Sequence, residues 1–394
     1  MTYHLNSLVQ GVAEPPIAEA QGWIEGRVFP PDRPLLNMAQ AVPSYPPSMA
    51  LQDHLAAVVR QSDMSLYTDI MGVPALRAAL ADHMGEIYGA DLDSRDFGIT
   101  AGCNQAFCVA MNALAGPGDE VILPAPWYFN HQMWLQMQGV TPVPLHCSEA
   151  SGAMPDPTDA AALIGPRTRA IVLVTPNNPT GAIYPPELID SFYELAREHG
   201  IALVLDETYK DFMPAGAPPH GLFARPDWRD VFVQLYSFSK AYSLTGYRVG
   251  SVAGGPAIMG SIEKVMDCIA ICAPRIGQEA ALYGLGNLAG WRAEKRDLMA
   301  NRTEALRAAF RASNSGYQLV SSGAYFAWVR HSFSDMDSSS VARMLATDYN
   351  LLCLPGGMFG PNQENFLRLA FANLEAEKMN DVVARLSKSS AGAG

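Results

Sequence analysis

Polar side chains follow three apolar runs of this sequence, at the points where each run would end as a strand. AIVLV leads into Asn178, IALVL leads into Asp206 and Tyr209, and VFVQL leads into Ser237 and Lys240. Ligands of doubly wound sheets bind where the strands end at their carboxyl edge. We therefore expect these side chains to share one site.

The residue types in this set match the chemistry of one cofactor. A lysine at the mouth of a buried sheet can lose its proton and form a Schiff base with a carbonyl. Serine hydroxyls, the guanidinium of Arg248 and a helix N-terminus can bind a phosphate dianion. A buried carboxylate such as that of Asp206 keeps a pyridinium nitrogen protonated, and an amide and a phenol can bind a ring oxygen. The combination predicts a site for pyridoxal 5′-phosphate (PLP).

The elements that must position these residues alternate between apolar runs and amphipathic helices. Runs such as IVLVT and IALVLD are apolar throughout, as expected of strands covered on both faces. The candidate strands are DFGIT, DEVILP, VTPVPL, RAIVLVTP, IALVLDE, DVFVQLYS and RVGSVAGG. Helical segments such as PPELIDSFYELAREHG lie between them. The pattern predicts an α/β fold with a mostly parallel seven-stranded sheet between helices.

Changes in sequence character along the chain predict three regions. Residues 1–48 are rich in proline, which favours an extended arm with short helical turns, and we assign this arm in part to a small domain. Residues 49–285 carry the α/β pattern and form the large, PLP-binding domain. Residues 286–394 begin with a long helical segment and continue with short strands and a last helix, which predicts a smaller C-terminal α+β domain.

Composition limits the function classes. Of the 394 residues, 49% are hydrophobic and 17% are charged, so the chain can bury a sizeable core. The net charge of −12 disfavours binding to nucleic acid or to anionic membranes. The six cysteines form no CxxC pair and the histidines lack metal-ligand spacing, so we expect no metal site. We see no secretory leader and no membrane-length apolar run, and we expect a cytoplasmic protein.

Several motifs resemble those of a known enzyme family. NNPTG, DETY and SFSKAYSLTGYRVG stand in the order and at the spacing found in the class I/II, fold-type I aminotransferases, the aspartate aminotransferase superfamily. The resemblance extends over nearly the whole chain, from about residue 35 to residue 385. It implies the fold-type I architecture, PLP as cofactor, amino-acid and 2-oxo-acid substrates, and a homodimer with shared active sites.

The resemblance implies roles for the motif residues. Lys240 would carry the cofactor as a Schiff base and would move the α-proton of the substrate. Asp206 would pair with the pyridine nitrogen. Tyr209 and Asn178 would hydrogen-bond the ring oxygen, with Asn178 also close to the substrate. Lys240, Asp206 and Tyr209 are thus the predicted catalytic residues.

Further residues would hold the phosphate group of the cofactor. Ser237 and Arg248 match the family's phosphate ligands. The stretch TAGCNQA resembles the family's phosphate loop, so that Gly102, Cys103 and Asn104 would open a helix whose amides point at the phosphate. Cys103 stands where small or hydroxyl residues are usual in the family.

Aromatic residues complete the expected cofactor site. PWYFNH resembles the segment whose aromatic ring stacks on the cofactor, and the register favours Tyr128 over Trp127. His131 then matches a histidine that supports the aspartate. Tyr67 resembles a tyrosine that is donated to the phosphate of the neighbouring subunit.

The substrate would be held by its α-carboxylate. Arg368, in FLRL, resembles the arginine that grips this group, since a planar fork suits a bidentate carboxylate. Ala41 stands where the family often has a glycine, and Tyr128 and Asn178 would also line the substrate position.

The sequence leaves specificity open. Members specific for dicarboxylates use a second arginine from the partner subunit, and the matching region, residues 267–274, has none. Arg275 is slightly displaced in sequence, and Arg27 and Arg33 on the arm are other candidates. A preference for aspartate or glutamate is therefore doubtful.

The sequence favours a PLP-dependent aminotransferase that works by a ping-pong cycle through a Lys240 Schiff base. A β- or γ-elimination lyase, of the C–S lyase or aminocyclopropane-carboxylate synthase type, is the alternative, because its motifs are the same. A PLP-sensing transcription regulator would need a DNA-binding domain ahead of this chain, and the first fifty residues do not resemble one.

Overall fold

The computed structural model of the protein describes residues 3–216 and 218–391. Its α-helices are α1 Ser7–Gln10, α2 Pro16–Gly22, α3 Met49–Val58, α4 Pro74–Tyr88, α5 Cys103–Leu114, α6 Phe129–Met137, α7 Pro157–Leu163, α8 Pro186–His199, α9 Trp228–Val231, α10 Phe238–Ala241, α11 Pro256–Ala270, α12 Arg275–Asn287, α13 Ala289–Arg311, α14 Ser338–Asp348 and α15 Met379–Ala391. Its strands are β1 Leu36–Asn37, β2 Phe97–Thr100, β3 Glu120–Ala125, β4 Thr141–His146, β5 Thr168–Val174, β6 Ala202–Asp206, β7 Phe232–Ser237, β8 Gly250–Ala253, β9 Gln318–Gly323, β10 Phe326–Arg330, β11 Leu351–Leu352, β12 Leu354–Pro355 and β13 Phe366–Ala370.

A seven-stranded sheet forms the centre of the larger part of the molecule. Its strand order is β2-β8-β7-β6-β5-β3-β4. The pairs from β7 to β4 are parallel, and β8 runs antiparallel to both of its neighbours. The predicted fold class is confirmed: the α/β, fold-type I architecture has a mostly parallel seven-stranded sheet between helices, and each candidate strand of the sequence forms one strand of this sheet.

Helices cover both faces of the sheet because successive side chains of each strand point to opposite sides. Ile171 and Leu173 of β5 pack in one core with helices α4, α8 and α12. Ala170 and Val172 of the same strand pack in a second core with helices α5 and α11. This two-sided burial explains why the strand sequences are apolar throughout.

The C-terminal part has its own sheet and its own core. Strands β12, β13, β10 and β9 form an antiparallel sheet in that order. Helices α13, α14 and α15 contribute side chains such as Leu306, Leu345 and Leu386 to the core beside it. Strand β1 of the N-terminal arm pairs in parallel with β11, so the arm joins the C-terminal part. The boundaries at residues 48/49 and 285/286 stay a prediction.

The carboxyl ends of the parallel strands lie at one edge of the large sheet. Asp206 is the last residue of β6 and Ser237 is the last residue of β7. Asn178 follows β5, and β2 runs into the start of α5 at Cys103. Within the described residues, no helix is both long enough and apolar enough to cross a membrane.

Candidate active site

A cavity of about 270 Å³ opens at this edge of the sheet. The predicted site residues that line it are Ala41, Cys103, Asn104, Tyr128, Asn178, Asp206, Tyr209, Ser237, Lys240, Arg248 and Arg368. They come from segments up to 327 residues apart, since the outermost of them are Ala41 and Arg368. The geometry therefore brings nearly all of the sequence-predicted residues into one place.

Lys240 presents an amine that no carboxylate neutralises within the described part of the chain. It lies on α10, directly after β7, and its Nζ donates a hydrogen bond to the carbonyl oxygen of Ala41 at 2.6 Å. Burial, together with the positive charges of Arg248 and Arg368, lowers the pKa of Lys240 to about 8. About a tenth of this amine is therefore unprotonated and nucleophilic at pH 7, far more than for an ordinary lysine.

Asp206 faces the cavity as a buried carboxylate. Its Oδ1 accepts a hydrogen bond from the backbone N–H of Thr208 at 2.9 Å, and its Oδ2 lies 3.4 Å from Nε2 of His131. Burial raises the pKa of Asp206, but the interactions with His131 and Thr208 outweigh burial and lower it below the usual value. The His131 ring is stacked on Phe107, with the ring centroids 3.9 Å apart, which fixes its orientation.

The start of α5 and Arg248 form a part of the cavity wall that is suited to an anion, here called the anion corner. Gly102 has a φ of +86° and precedes the first turn of α5, and Cys103 and Asn104 of this turn line the cavity. The first backbone N–H groups of a helix have no acceptor within the helix and are suited to an anion. A Cβ atom at Gly102 would collide with the guanidinium of Arg248. The Arg248 side chain donates to the carbonyl oxygens of Thr245 at 3.0 Å and Ala101 at 3.3 Å, and no carboxylate of the described residues pairs with it.

Hydroxyl groups that the sequence analysis missed lie in the same cavity. Thr208, Ser239 and Thr245 line it beside Ser237. Ser237 caps α10, because its Oγ accepts the backbone N–H of Ser239 at 3.2 Å. Their positions inside the DETY and SFSKAYSLTGYRVG motifs are the signal that could have found them.

Arg368 is a buried cation, and no carboxylate of the described residues forms an ion pair with it. Its guanidinium donates to Oδ1 of Asn178 at 3.2 Å and to the carbonyl oxygen of Ala39, while its Nε has no partner in the described residues. The rings of Phe326 and Phe359 lie 5.2 and 5.0 Å from it. Burial lowers the pKa of Arg368 to about 10. An incoming carboxylate would supply the missing counter-charge and hydrogen-bond acceptors.

Two tyrosines, Tyr128 and Tyr209, line the cavity together with Lys240 and Arg368. The hydroxyl of Tyr128 donates to Oδ1 of Asn104 at 3.3 Å and accepts from Nδ2 of Asn130 at 2.8 Å. Burial raises the pKa of Tyr128 to about 12, and burial also raises the pKa of Tyr209, so both phenols stay protonated at neutral pH. Tyr128 lines the cavity and Trp127 does not, and the stacking of Tyr128 on the cofactor stays a prediction.

Tyr67 is the predicted residue that lies apart from the others. It is 76% exposed and does not line the cavity of its own chain. Its predicted role concerns the site of a neighbouring subunit, so this role stays a prediction.

Known proteins share this fold. A family model described as aminotransferase class I and II matches residues 33–386. The chain belongs to this family. It is an aminotransferase of the aspartate aminotransferase superfamily, as the motifs predicted.

Relatives of this aminotransferase match it over most of their length. An aromatic aminotransferase of Arabidopsis thaliana is 30% identical over 363 residues, which cover 90% of this chain and 89% of the relative. An arginine–pyruvate transaminase of Pseudomonas aeruginosa is 28% identical over a match that covers 82% of this chain and 81% of the relative. The solved aspartate aminotransferase of Thermus thermophilus with maleate is 25% identical, with a TM-score of 0.89, over 98% of this chain and 100% of that structure.

The family implies PLP as the cofactor, and two observations on this aminotransferase fit that group. The lack of a Cβ at Gly102 lets the guanidinium of Arg248, which no carboxylate of the described residues neutralises, lie beside the start of α5, and a phosphate dianion requires such a combination of a cation and helix amides. The free amine of Lys240 and the buried carboxylate of Asp206 face the same cavity, as an aldehyde and a ring nitrogen require.

Proposed function

We propose that this aminotransferase moves the amino group of an L-α-amino acid to a 2-oxo acid by a ping-pong mechanism, with PLP bound covalently to Lys240. The observation that carries the proposal is the Lys240 amine, which has no carboxylate partner in the described residues and a pKa lowered to about 8, in one cavity with Asp206 and Arg368. When bound, PLP supplies an aldehyde that exchanges between the lysine and substrate amines, and a ring that accepts the electrons of the substrate Cα–H bond.

The side chains of this chain then have separate roles. Ser237, Arg248 and the amides at Gly102, Cys103 and Asn104 hold the phosphate. The negative charge of Asp206 keeps the ring nitrogen protonated, and His131 keeps Asp206 ionised and oriented.

The remaining residues handle the substrate. Arg368 binds its α-carboxylate and so fixes the position of the Cα–H bond. Lys240 Nζ, once free of the cofactor, accepts the α-proton and returns it, a role for which a pKa near the working pH is suited. Tyr209 and Asn178 donate hydrogen bonds to the ring oxygen, with Asn178 held by Arg368. Ala41 and Tyr128 line the substrate position.

The assembly and location are part of the same proposal. The active unit is a homodimer in which Tyr67 completes the phosphate site of the other subunit, and the enzyme works in the cytoplasm. The exposure of Tyr67, and its position outside the cavity lining of its own chain, support a role in another chain's site.

A single-turnover experiment tests the reaction type. The PLP-loaded enzyme is mixed with an excess of each common amino acid without a 2-oxo acid, and the products are quantified. We expect about one equivalent of 2-oxo acid per site and no ammonia, because the nitrogen stays on the enzyme; adding a second 2-oxo acid then yields a new amino acid. Lys240→Ala should give neither product. Continuous release of ammonia would identify an elimination lyase instead.

A further inference from the structure

The charged side chains of the cavity leave no partner for a charged substrate side chain. The cations that line it, among residues 3–216 and 218–391, are Lys240, Arg248 and Arg368, and the one carboxylate is Asp206. Under the proposed function all four are already occupied, by the aldehyde, the phosphate, the α-carboxylate and the ring nitrogen in that order. A charged group elsewhere on the substrate would therefore find no counter-ion among them.

The other arginines that could supply a second carboxylate site are engaged elsewhere. Arg275 forms ion pairs with Asp63 at 3.2 Å and Glu279 at 3.1 Å, and it does not line the cavity. Because a second copy of the chain carries the same residues, its Arg275 has the same two carboxylates as competitors.

The two arginines of the N-terminal arm, Arg27 and Arg33, form hydrogen bonds to the C-terminal end of helix α14. Arg27 donates to the carbonyl oxygens of Ala346 and Thr347, and Arg33 donates to that of Asp348 at 2.7 Å. These carbonyls belong to the last turn of α14, where the helix dipole favours positive charge. Neither arginine lines the cavity.

One part of the remaining cavity wall is apolar. Ile17 of α2, Val42 and Phe129 of α6 line the cavity together with Ala41. Ile17 and Phe129 belong to one hydrophobic cluster. The amide of Asn130 is already bonded to the Tyr128 hydroxyl, and Gln40 lies exposed at the rim.

We infer that the amino donor carries an uncharged, apolar side chain that packs against Ile17, Val42 and Phe129, and that Ile17 determines this specificity. The inference rests on the proposed function and adds the substrate class. A carboxylate or ammonium group in this position would lose its hydration without gaining a counter-ion, which costs far more than the loss of an apolar contact. Names of relatives do not decide the matter, since they include aromatic, aspartate and arginine–pyruvate aminotransferases.

Three donors of nearly the same shape test the inference. Leucine, asparagine and aspartate differ in being apolar, polar and anionic, so kcat/KM of the holoenzyme for each, with a common 2-oxo acid, separates charge from size. We expect leucine to exceed aspartate by about 100-fold or more, with asparagine between them. A kcat/KM for aspartate equal to or higher than that for leucine would overturn the inference and leave the proposed function intact. Release of 2-oxo acid from none of the common amino acids would instead overturn the proposed function.

A pair of variants tests the role of Ile17. Ile17→Arg adds a cation to the apolar wall, and Ile17→Gln is the matched control with a long uncharged side chain. We expect Ile17→Arg to raise kcat/KM for aspartate at least tenfold and to lower it for leucine, while Ile17→Gln lowers the value for leucine without a gain for aspartate. Equal effects of both variants on both donors would show that residue 17 does not face the substrate side chain.

Discussion

At the scale of single residues, the site depends on charges that are left without partners. Lys240 and Arg368 are cations in a buried cavity, and neither has a carboxylate within hydrogen-bonding distance in the described residues. Such an arrangement costs stability in the free protein, and it is tolerated where a ligand supplies the missing charge. The site is thus built for an anion and for a reactive amine.

The amine of Lys240 should titrate far below an ordinary lysine. In the cofactor-free protein, we expect its rate of modification by an amine-specific acylating reagent to rise with pH with a midpoint near 8, because burial and two arginines disfavour its charged form. Between a pH of about 8 and the ordinary lysine pKa of 10.5, the unfolded chain holds this proton and the folded chain does not. This group therefore makes the folded state more stable as pH rises through that range.

Peptide mass spectrometry of Lys240 against pH measures this midpoint. Arg368→Met is the informative variant, because loss of a neighbouring positive charge should move the midpoint upwards. A wild-type midpoint as high as the ordinary lysine pKa of 10.5 would contradict the described environment of the amine.

The sequence largely predicted which residues line the cavity, because the motifs place those residues directly after the ends of strands. Lys240, Asp206 and Asn178 fall in the cavity as the motifs implied. The contacts of Arg27 and Arg275 were not predictable, since their partners lie far away in sequence. Specificity depends on such contacts, and it therefore needed the structure.

At the scale of elements, the turn from β2 into α5 shapes the anion corner. Gly102→Ala would place a methyl group against the Arg248 guanidinium at a φ of +86°, whereas Gly116→Ala, the matched control, meets open space. We expect the first variant to bind PLP about 10- to 100-fold more weakly, the range for loss of one charged hydrogen bond, and the second to bind normally. Titration of the apo-protein with PLP, followed by fluorescence, gives both dissociation constants. Equal affinities would place the phosphate elsewhere.

Behind the sheet, a buried ion-pair cluster connects β7 to helix α13. Asp211 accepts a hydrogen bond from the Tyr236 hydroxyl at 2.8 Å, and both Lys210 Nζ and Arg292 Nε lie 3.4 Å from its Oδ1. Tyr236 directly precedes Ser237, and Lys210 directly follows Tyr209. The cluster therefore supports the backbone beside Ser237 and Tyr209, two residues that line the cavity.

Removal of one member of this cluster should destabilise the fold. We expect Arg292→Met to lower the free energy of unfolding by about 3 kcal/mol, because Asp211 would stay buried with one cation fewer. Arg296→Met on the same helix is the control: it pairs with the exposed Asp297, and its loss should cost less than about 1 kcal/mol. Urea denaturation compares the two. Equal stabilities would mean that the cluster contributes no more than a surface pair.

Element positions were predictable where the apolar pattern was long, as in the seven strands of the large sheet. The pairing of β1 with β11 was not, because two residues carry no periodicity and their partners lie 315 positions away, from Leu36 to Leu351. Tertiary contacts decide such short strands.

At the scale of the whole molecule, the proposed homodimer makes each site from two chains. Lys240→Ala and Tyr67→Ala homodimers should both be impaired, since one lacks the amine and the other lacks a hydrogen bond to the phosphate. In a mixed dimer both lesions fall in one site, and the other site is intact. Random exchange should therefore restore about a quarter of wild-type activity.

Activity before and after subunit exchange measures this complementation, with a mass measurement of intact dimers to show that exchange took place. If mixed dimers form and no activity returns, Tyr67 serves its own chain.

The central claim, that Lys240 holds the cofactor and yields it to an amino acid, is tested most directly by borohydride reduction of the PLP-loaded enzyme followed by peptide mass spectrometry. We predict reduced cofactor on the peptide that contains Lys240, and loss of this label when an amino-acid substrate is added before reduction. Lys210 is the internal competitor, because burial also lowers its pKa. Label on Lys210, on another lysine or on none would contradict the account.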